Sequence, residues 1–212
     1  MNVAPIVHVV DDDASFRTAI ARVLRGSGYQ VALYESGNQL LDSPPSAEPG
    51  CILLDLQMSG VDGLELQDRL LALGHTLPIV FLTGHGDIPS TVRAIKAGAQ
   101  DFLSKPIPRT TLLNAVARAL ARYMEMREQQ DRMSAMRSRI AALTPREKEV
   151  FVLVVRGKLN KQIAYELGTS ERTIKAHRGS IMRKLRVGSL AGAVSIAERL
   201  GMLEAANDTP HA

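Results

Sequence analysis

The stretch Ile6–Asp13 reads IVHVVDDD, an apolar run that ends abruptly in three aspartates. The same layout returns at Cys51–Asp55 (CILLD), and a third apolar run, Ile79–Leu82, ends at Thr83. Short continuous apolar runs are typical of strands that are buried on both faces of a parallel sheet. The polar residues that follow them therefore predict strand ends at which functional side chains gather.

Segments with helical spacing separate these runs. Ala14–Ser27 places apolar residues along one helical face and stops at Gly28. Two more strands are expected at Val31–Tyr34 and Asp101–Ser104, and further helices at Ser36–Leu41, Leu64–Leu73, Pro89–Ala97 and from Thr111 onward. Five strands that alternate with five helices predict a doubly wound five-stranded parallel sheet, an α/β fold.

Ligands of such sheets bind beyond the carboxyl ends of the strands. A strand order of 2-1-3-4-5 would bring together Asp11, Asp12, Asp55, Thr83 and Lys105 at that edge. Three carboxylates in one pocket repel each other, and oxygen ligands of this charge suit a hard divalent ion such as Mg²⁺. With a fixed cation and a hydroxyl beside them, these groups suit a phosphoryl group held on an aspartate nucleophile.

The composition excludes several protein classes. Hydrophobic residues make up 45% and charged residues 23% of the 212 residues, as in globular chains of one or two domains. The single Cys51 excludes a disulfide-built fold. The longest apolar run, Val150–Val155, is far short of the roughly 20 residues of a membrane helix. The N-terminus lacks the layout of a signal peptide. We therefore expect a soluble cytoplasmic protein without membrane contact.

The charge is distributed unevenly along the chain. Residues 1–122 hold 10 Lys/Arg and 12 Asp/Glu, whereas residues 123–212 hold 16 Lys/Arg and 10 Asp/Glu. A basic rear half indicates a nucleic-acid-binding domain, and ordinary solvated surface charge is the alternative.

The linker is expected to be helical. Residues 123–142 lack glycine and proline, and Met126, Met133 and Ile140 repeat every seven residues. This heptad pattern predicts a connector that continues the fifth helix, with a solvated spacer helix as the alternative.

Residues 143–205 are predicted to form a domain of four helices, followed by a flexible tail at 206–212. Thr144, Pro145 and Glu147 form the pattern of a capping box with a favoured proline. Asn160 and Ser170 are the expected caps of the next two helices. Two helices joined across a glycine-containing turn are typical of a helix-turn-helix.

Residues 1–122 form the predicted first domain, and about residues 5–122 of it resemble the receiver domain of two-component response regulators, which has a CheY-like, flavodoxin-like fold. The motifs are VVDDD (9–13), LLDLQM (53–58), TGHGD (83–87), KAGAQDF (96–102) and the Lys-Pro pair at 105–106. The resemblance implies that Asp55 accepts a phosphoryl group from a sensor histidine kinase and that Lys105 pairs with it. It also implies that Thr83 and Phe102 act as a switch and that the peptide bond before Pro106 is cis.

The same resemblance implies the Mg²⁺ ligands. Asp12 and Asp55 would bind the ion, Asp11 would act through a water, and the backbone carbonyl of Gln57 would complete the protein ligands. Receivers commonly carry proline four residues after the phosphoacceptor, where this chain has Ser59. Because proline fixes φ, we expect a looser loop without the loss of a ligand.

Residues 144–203 carry 12 Lys/Arg and 5 Asp/Glu. They resemble the LuxR-type helix-turn-helix of the FixJ/NarL subgroup through LTPREKEV (143–150), GKLNKQIAYELGTSERTIKAH (157–177) and MRKL (182–185). The resemblance implies that Lys175, Ala176 and Gly179 face the floor of the major groove, with Arg178 beside them. The expected phosphate contacts are Lys161, Thr173 and Lys184. Because Gly179 has no side chain, base discrimination would rest on Lys175 and Arg178.

These resemblances together imply a response regulator that acts as a transcription factor of the FixJ/NarL family. Phosphorylation would change the face at residues 88–102 and promote homodimerisation on double-stranded promoter DNA, with RNA polymerase as a further candidate partner. Half-sites would lie about one helical turn apart. Burial of the recognition helix by the resting receiver is a competing route. The chain is expected to modify itself and not to act as an enzyme.

Three other functions are alternatives. A phosphatase of the haloacid-dehalogenase type would need an acid two residues after the nucleophile, where Gln57 stands. A flavodoxin-like cofactor binder would need a phosphate-cradling loop, and the acidic pocket would repel a flavin phosphate. A DNA-binding protein that acts independently of phosphorylation is the third alternative.

Overall fold

A computed structural model describes residues 4–45, 48–84 and 88–203. The chain divides into two compact units, with the division after Arg127. The predicted tail at 206–212 lies outside the described residues.

The first unit contains a five-stranded parallel sheet in the order β2-β1-β3-β4-β5. The strands are β1 Ile6–Val10, β2 Gln30–Tyr34, β3 Gly50–Asp55, β4 Ile79–Thr83 and β5 Asp101–Ser104. The predicted fold class and strand order are confirmed. The three central apolar runs of the sequence are thus neighbouring strands, and their carboxyl ends meet at one edge.

Helices cover both faces of the sheet. They are α1 Ala14–Arg25, α2 Gly37–Asp42, α3 Gly63–Ala72, α4 Ile88–Lys96 and the first part of α5 Arg109–Ala141. Successive residues of a strand point to opposite faces, so Cys51 and Leu53 join the core under α1 and α5, whereas Ile52 and Leu54 join the core under α2 and α3. Fully burying each such side chain contributes about 1.5–3 kcal/mol.

Cys51 lies in the middle strand and is fully buried. Burial raises the pKa of its thiol to about 12. On the neighbouring strand β1, His8 is also buried, and its Nδ1 lies 3.1 Å from the Tyr34 hydroxyl.

The helix α5 runs for 33 residues without interruption, as expected for a segment without glycine or proline. In the first unit its residues Leu112, Ala115 and Val116 pack against the sheet. In the second unit Met136 and Ile140 pack against the helical core. Ile140, one of the three heptad positions, is therefore used in packing within the second unit.

As far as residue 203, where the described part of the second unit ends, this unit contains four helices besides the end of α5. They are α6 Pro145–Val155, α7 Asn160–Glu166, α8 Glu171–Leu185 and α9 Leu190–Arg199. The capping box predicted at Thr144 and Glu147 is confirmed. Phe151, Ile163, Ile174 and Leu185 form the centre of the core that joins these helices.

One predicted cap is wrong. Asn160 is the first residue of α7, and Leu159 occupies the cap position. Gln162 Oε1 accepts a hydrogen bond from the Leu159 N–H at 2.8 Å, and the Asn160 side chain accepts one from Arg178 instead. The helix begins at Asn160, one residue earlier than predicted, because Gln162 inside it satisfies the N–H of Leu159.

Among the helices of the described residues, none has the length and apolar character that crossing a bilayer requires.

Candidate functional site

Three carboxylates meet at the carboxyl edge of the sheet. Asp55 is the last residue of β3, and Asp11 and Asp12 directly follow the neighbouring β1. The carboxylate oxygens that the three residues offer lie within 4.8 Å of one another. Asp11 is fully buried and Asp12 is exposed. The cluster is thus a pocket that is closed by the sheet on one side and open to solvent on the other.

Lys105 partly balances this negative charge. Its Nζ donates to Asp11 Oδ2 at 2.6 Å and to Asp55 Oδ2 at 2.9 Å. The ammonium also lies 4.1 Å from the centre of the Phe16 ring, a favourable cation–π distance. Lys105 follows β5, so the sheet order brings it to the cluster from the far edge. One ammonium faces three carboxylates, and the site keeps an excess of negative charge.

The pKa values reflect this mixture of burial and charge. Burial raises the pKa of the Asp55 carboxyl, and Lys105 acts in the opposite direction. Burial also disfavours the Lys105 ammonium, but its hydrogen bonds with Asp11 and Asp55 outweigh this effect and raise its pKa. Lys105 is therefore a permanently charged partner of Asp55 at neutral pH.

The donor set of the cluster fits a hard divalent cation. Carboxylate oxygens are the ligands that Mg²⁺ prefers, and an ion of charge +2 would offset the excess negative charge. Asp12 is exposed and could therefore bind an ion that keeps several of its waters. The site formed by Asp11, Asp12 and Asp55 is thus chemically suited to Mg²⁺.

Ser59 holds Asp12 from the loop after β3. The Ser59 N–H and the Ser59 Oγ each donate to Asp12 Oδ2, both at 3.0 Å. The backbone bond from Ser59 is the main reason that the pKa of the Asp12 carboxyl is lowered. Sequence reasoning noticed Ser59 only as a departure from proline and missed this contact.

The other residues predicted for this site surround the cluster. Thr83 ends β4 and is fully buried, and its carbonyl accepts a hydrogen bond from the Lys105 N–H at 2.6 Å. Phe102 on β5 is half-buried, with its ring centre 6.2 Å from that of Phe81. The Gln57 N–H points to Asp55 Oδ1 at 3.4 Å. The peptide bond between Lys105 and Pro106 is cis.

Gly63 lets α3 begin directly beside the end of β3. Its N–H donates to the Leu56 carbonyl at 3.0 Å. A Cβ atom at this position would lie 2.4 Å from the Asp55 carbonyl oxygen, which is too close for any side chain. The sequence therefore needs glycine here to bring the helix against the loop that carries Gln57 and Ser59.

The second unit presents a basic helix face. Thr173, Lys175, Ala176 and Gly179 are exposed on α8, whereas Ile174, Ile181 and Leu185 anchor the opposite face in the core. Lys161 is exposed on α7. A helix with a small-residue strip flanked by basic side chains can approach the major groove of B-DNA closely.

Two of the residues that are predicted to contact DNA also make hydrogen bonds inside this unit. Arg178 is half-buried, and its Nη1 donates to Asn160 Oδ1 at 3.2 Å. Lys184 Nζ donates to Glu147 Oε2 at 2.6 Å and to the Ala142 carbonyl at 3.2 Å. These bonds join α8 to the helices beside it, a role that sequence spacing does not reveal.

Comparisons with known proteins identify both units. The family model "Response regulator receiver domain" matches residues 7–117, and the model "Bacterial regulatory proteins, luxR family" matches residues 141–197. Nodulation protein W of Bradyrhizobium diazoefficiens is 43% identical over 93% of this chain and 87% of its own length. The transcriptional regulatory protein FixJ of Azorhizobium caulinodans is 40% identical over 96% of this chain and 97% of its own length.

Solved structures agree with these matches. The structure of the response regulator StyR has a TM-score of 0.84 and 43% identity, and the match covers 93% of this chain and all of that one. Full-length FixJ from B. japonicum has a TM-score of 0.58 and 36% identity, over 94% of this chain and 98% of that one.

Proposed function

The chain belongs to the two-component response regulators that join a receiver domain to a LuxR-type DNA-binding domain, and we propose that it is a transcription factor switched by phosphorylation of Asp55. The single observation that carries the proposal is the cluster of Asp55 with Asp11, Asp12 and Lys105 at one sheet edge.

Asp55 is the nucleophile. One of its carboxylate oxygens attacks the phosphorus of a phosphohistidine on a sensor kinase, and the new O–P bond replaces the P–N bond. The departing imidazole keeps the bonding electron pair and takes a proton from solvent. Asp55 is suited to this step because it is partly desolvated yet held by Lys105.

The neighbouring residues prepare the pocket for the incoming charge. Asp11, Asp12 and Asp55, with the carbonyl of Gln57, would hold Mg²⁺, which offsets the charge of the phosphoryl oxygens when bound. Lys105 pairs with a phosphoryl oxygen and gives up part of its contact with Asp55. The Thr83 hydroxyl turns toward the phosphoryl group from the end of β4.

Phe102 transmits the change to the surface. Its side chain is half-exposed, so an inward rotation can bury more of the ring without displacing another side chain from the core. The rotation alters the face built by α4 and β5, which becomes the contact between two copies of the chain. Local charge thus biases a two-state element.

The output is binding to double-stranded promoter DNA. Dimerisation pairs two second units, each with the exposed face of α8 in the major groove, and Lys175 contacts a base edge. RNA polymerase is the proposed further partner at the promoter. The phosphoryl group ends on Asp55 of the chain itself, so this reaction is a self-modification, and we do not class the protein as an enzyme of metabolism.

The test compares wild type with Asp55→Asn, with and without Mg²⁺, after treatment with acetyl phosphate. Phosphate incorporation is read by intact mass, and assembly is read by light scattering. Asp42→Asn, which changes an exposed carboxylate at the end of α2, is the matched control. We expect incorporation in wild type and Asp42→Asn only, dependent on Mg²⁺, with conversion from monomer to dimer.

Two other outcomes would revise the proposal. Incorporation without a change in assembly would replace dimerisation by release of the DNA-binding unit. A folded wild-type chain that takes up no phosphate, but binds DNA duplexes selected from a random pool, would be a regulator that acts independently of phosphorylation.

A further inference from the structure

The loop after the phosphoacceptor carries an unusual pair of hydrogen bonds. Ser59 donates twice, from its backbone N–H and from Oγ, and both bonds end on the same oxygen, Asp12 Oδ2. A proline at this position could provide neither donor, because it lacks both an N–H and a hydroxyl.

These bonds act on the most weakly held member of the acidic cluster. Asp11 is fully buried and paired with Lys105, and Asp55 is buried and paired with the same ammonium. Asp12 is exposed. Without a constraint, repulsion by the two neighbouring carboxylates would favour side-chain rotamers that point Asp12 into water.

We propose that Ser59 is a positioning residue for the cation site, which holds the Asp12 carboxylate within the cluster and leaves its Oδ1 available to a divalent ion. The inference rests on the proposed function, since it assumes that the cluster binds Mg²⁺. In a chain without the usual proline, the loop gains order from a hydrogen-bonded carboxylate and not from a rigid ring. The loop and the ion site are thereby coupled.

The opposite effect, in which the Ser59 bonds weaken ion binding, is also physically reasonable. The direction of the change in Kd therefore distinguishes the two. If Oδ2 were itself the oxygen that the ion needs, the Ser59 bonds would compete with the ion, and their removal would strengthen binding. Positioning requires that their removal weaken it.

The experiment measures Mg²⁺ binding to the full chain by titration calorimetry. For Ser59→Ala, which loses the Oγ bond and keeps the N–H, we expect the Kd to rise about three- to tenfold. Ser59→Thr keeps a hydroxyl and should restore most of the affinity. Ser43→Ala, a change of another exposed serine at the end of α2, should leave the Kd unchanged.

A second comparison shows whether Ser59 acts through Asp12. In an Asp12→Asn background, titrated at correspondingly higher Mg²⁺, the further change Ser59→Ala should have an effect of less than about twofold. An equal loss in both backgrounds would mean a general effect on the loop and would overturn the positioning role.

The outcomes separate this inference from the proposed function. An unchanged or lower Kd for Ser59→Ala, with normal phosphate uptake by wild type, would overturn the role of Ser59 alone. A wild-type chain that binds no Mg²⁺ would overturn both.

Discussion

Lys184 Nζ lies 2.6 Å from Glu147 Oε2, and this ion pair joins the last turn of α8 to the first turn of α6. Glu147 is buried and also accepts hydrogen bonds from Ser180 Oγ at 2.6 Å and from the Thr144 N–H at 2.8 Å. The helix that presents the basic face is thus fixed to its domain by a carboxylate that is bonded to two residues of α8 and to the cap residue of α6. A phosphate contact by Lys184 would have to share its ammonium with this pair.

Replacement of Lys184 should therefore act mainly on the stability of the second unit, and less on DNA binding. Lys184→Met leaves Glu147 buried without its cation, and we expect the free energy of unfolding of the second unit to fall by about 1–3 kcal/mol. Urea denaturation followed by circular dichroism measures this. Lys158→Met is the control, because Lys158 pairs with Glu166 at the surface and exposed pairs contribute at most about 1 kcal/mol. Equal losses in the two variants would contradict the prediction.

The stability of the second unit should depend on pH through Glu147. Lys184, Ser180 and Thr144 lower the pKa of this carboxyl from its ordinary 4.5 to about 2. The stabilisation is complete above the ordinary value and is lost as the pH falls from there toward 2, because the unfolded chain takes up the proton first. Urea denaturation at a series of pH values from 5 to about 2.5 should show this loss. Glu147→Gln should be less stable at pH 5 and should depend less on pH, and a parallel dependence would rule out this assignment.

Removal of the Lys105 ammonium from the acidic cluster should make the stability of the first unit depend on Mg²⁺. In Lys105→Met, Asp11 and Asp55 lose their shared ammonium. We expect the free energy of unfolding without Mg²⁺ to fall by about 1–3 kcal/mol. Added Mg²⁺ should raise the Tm of this variant more than that of wild type, because three unbalanced carboxylates attract the ion more strongly. An equal Mg²⁺ effect on both chains, measured by differential scanning calorimetry, would count against this site.

Lys175 should contribute to sequence choice and not to stability. It is exposed on α8, so Lys175→Ala should leave the Tm unchanged. Binding to duplexes selected by the wild-type chain should weaken about tenfold, while binding to scrambled duplexes changes little. Lys148→Ala, on the exposed surface of α6, is the control. If Lys175 contacts a phosphate instead, the variant will bind both kinds of duplex more weakly. The slope of the logarithm of the binding constant against the logarithm of the salt concentration will then be less steep by about one unit.

Local patterns in the sequence predicted the parts of the fold that depend on local physics. Buried strands appear as apolar runs, so the strand ends at Val10, Asp55 and Thr83 follow from residue type alone. Caps such as Ser170, whose side chain accepts from the Thr173 N–H, are also local. The length of α5 follows from the absence of helix breakers.

Contacts between distant residues could not be predicted in the same way. Ser59 and Asp12 are 47 positions apart, and Lys184 and Glu147 are 37 apart. A serine or a lysine on a surface pattern has several neighbours of suitable charge, and only the packed fold selects among them. For the same reason the sequence did not predict the hydrogen bond that Arg178 donates to Asn160 on the neighbouring helix.

The burial of Cys51 has a practical consequence for spectroscopy of this protein. Its thiol is inaccessible, its pKa is raised to about 12, and it is the one cysteine of the sequence. Thiol reagents act on accessible thiolates, so the native chain should resist labelling under folding conditions. A cysteine introduced at an exposed position such as Leu73 would then carry a fluorophore or spin label selectively, with the natural residue left in place.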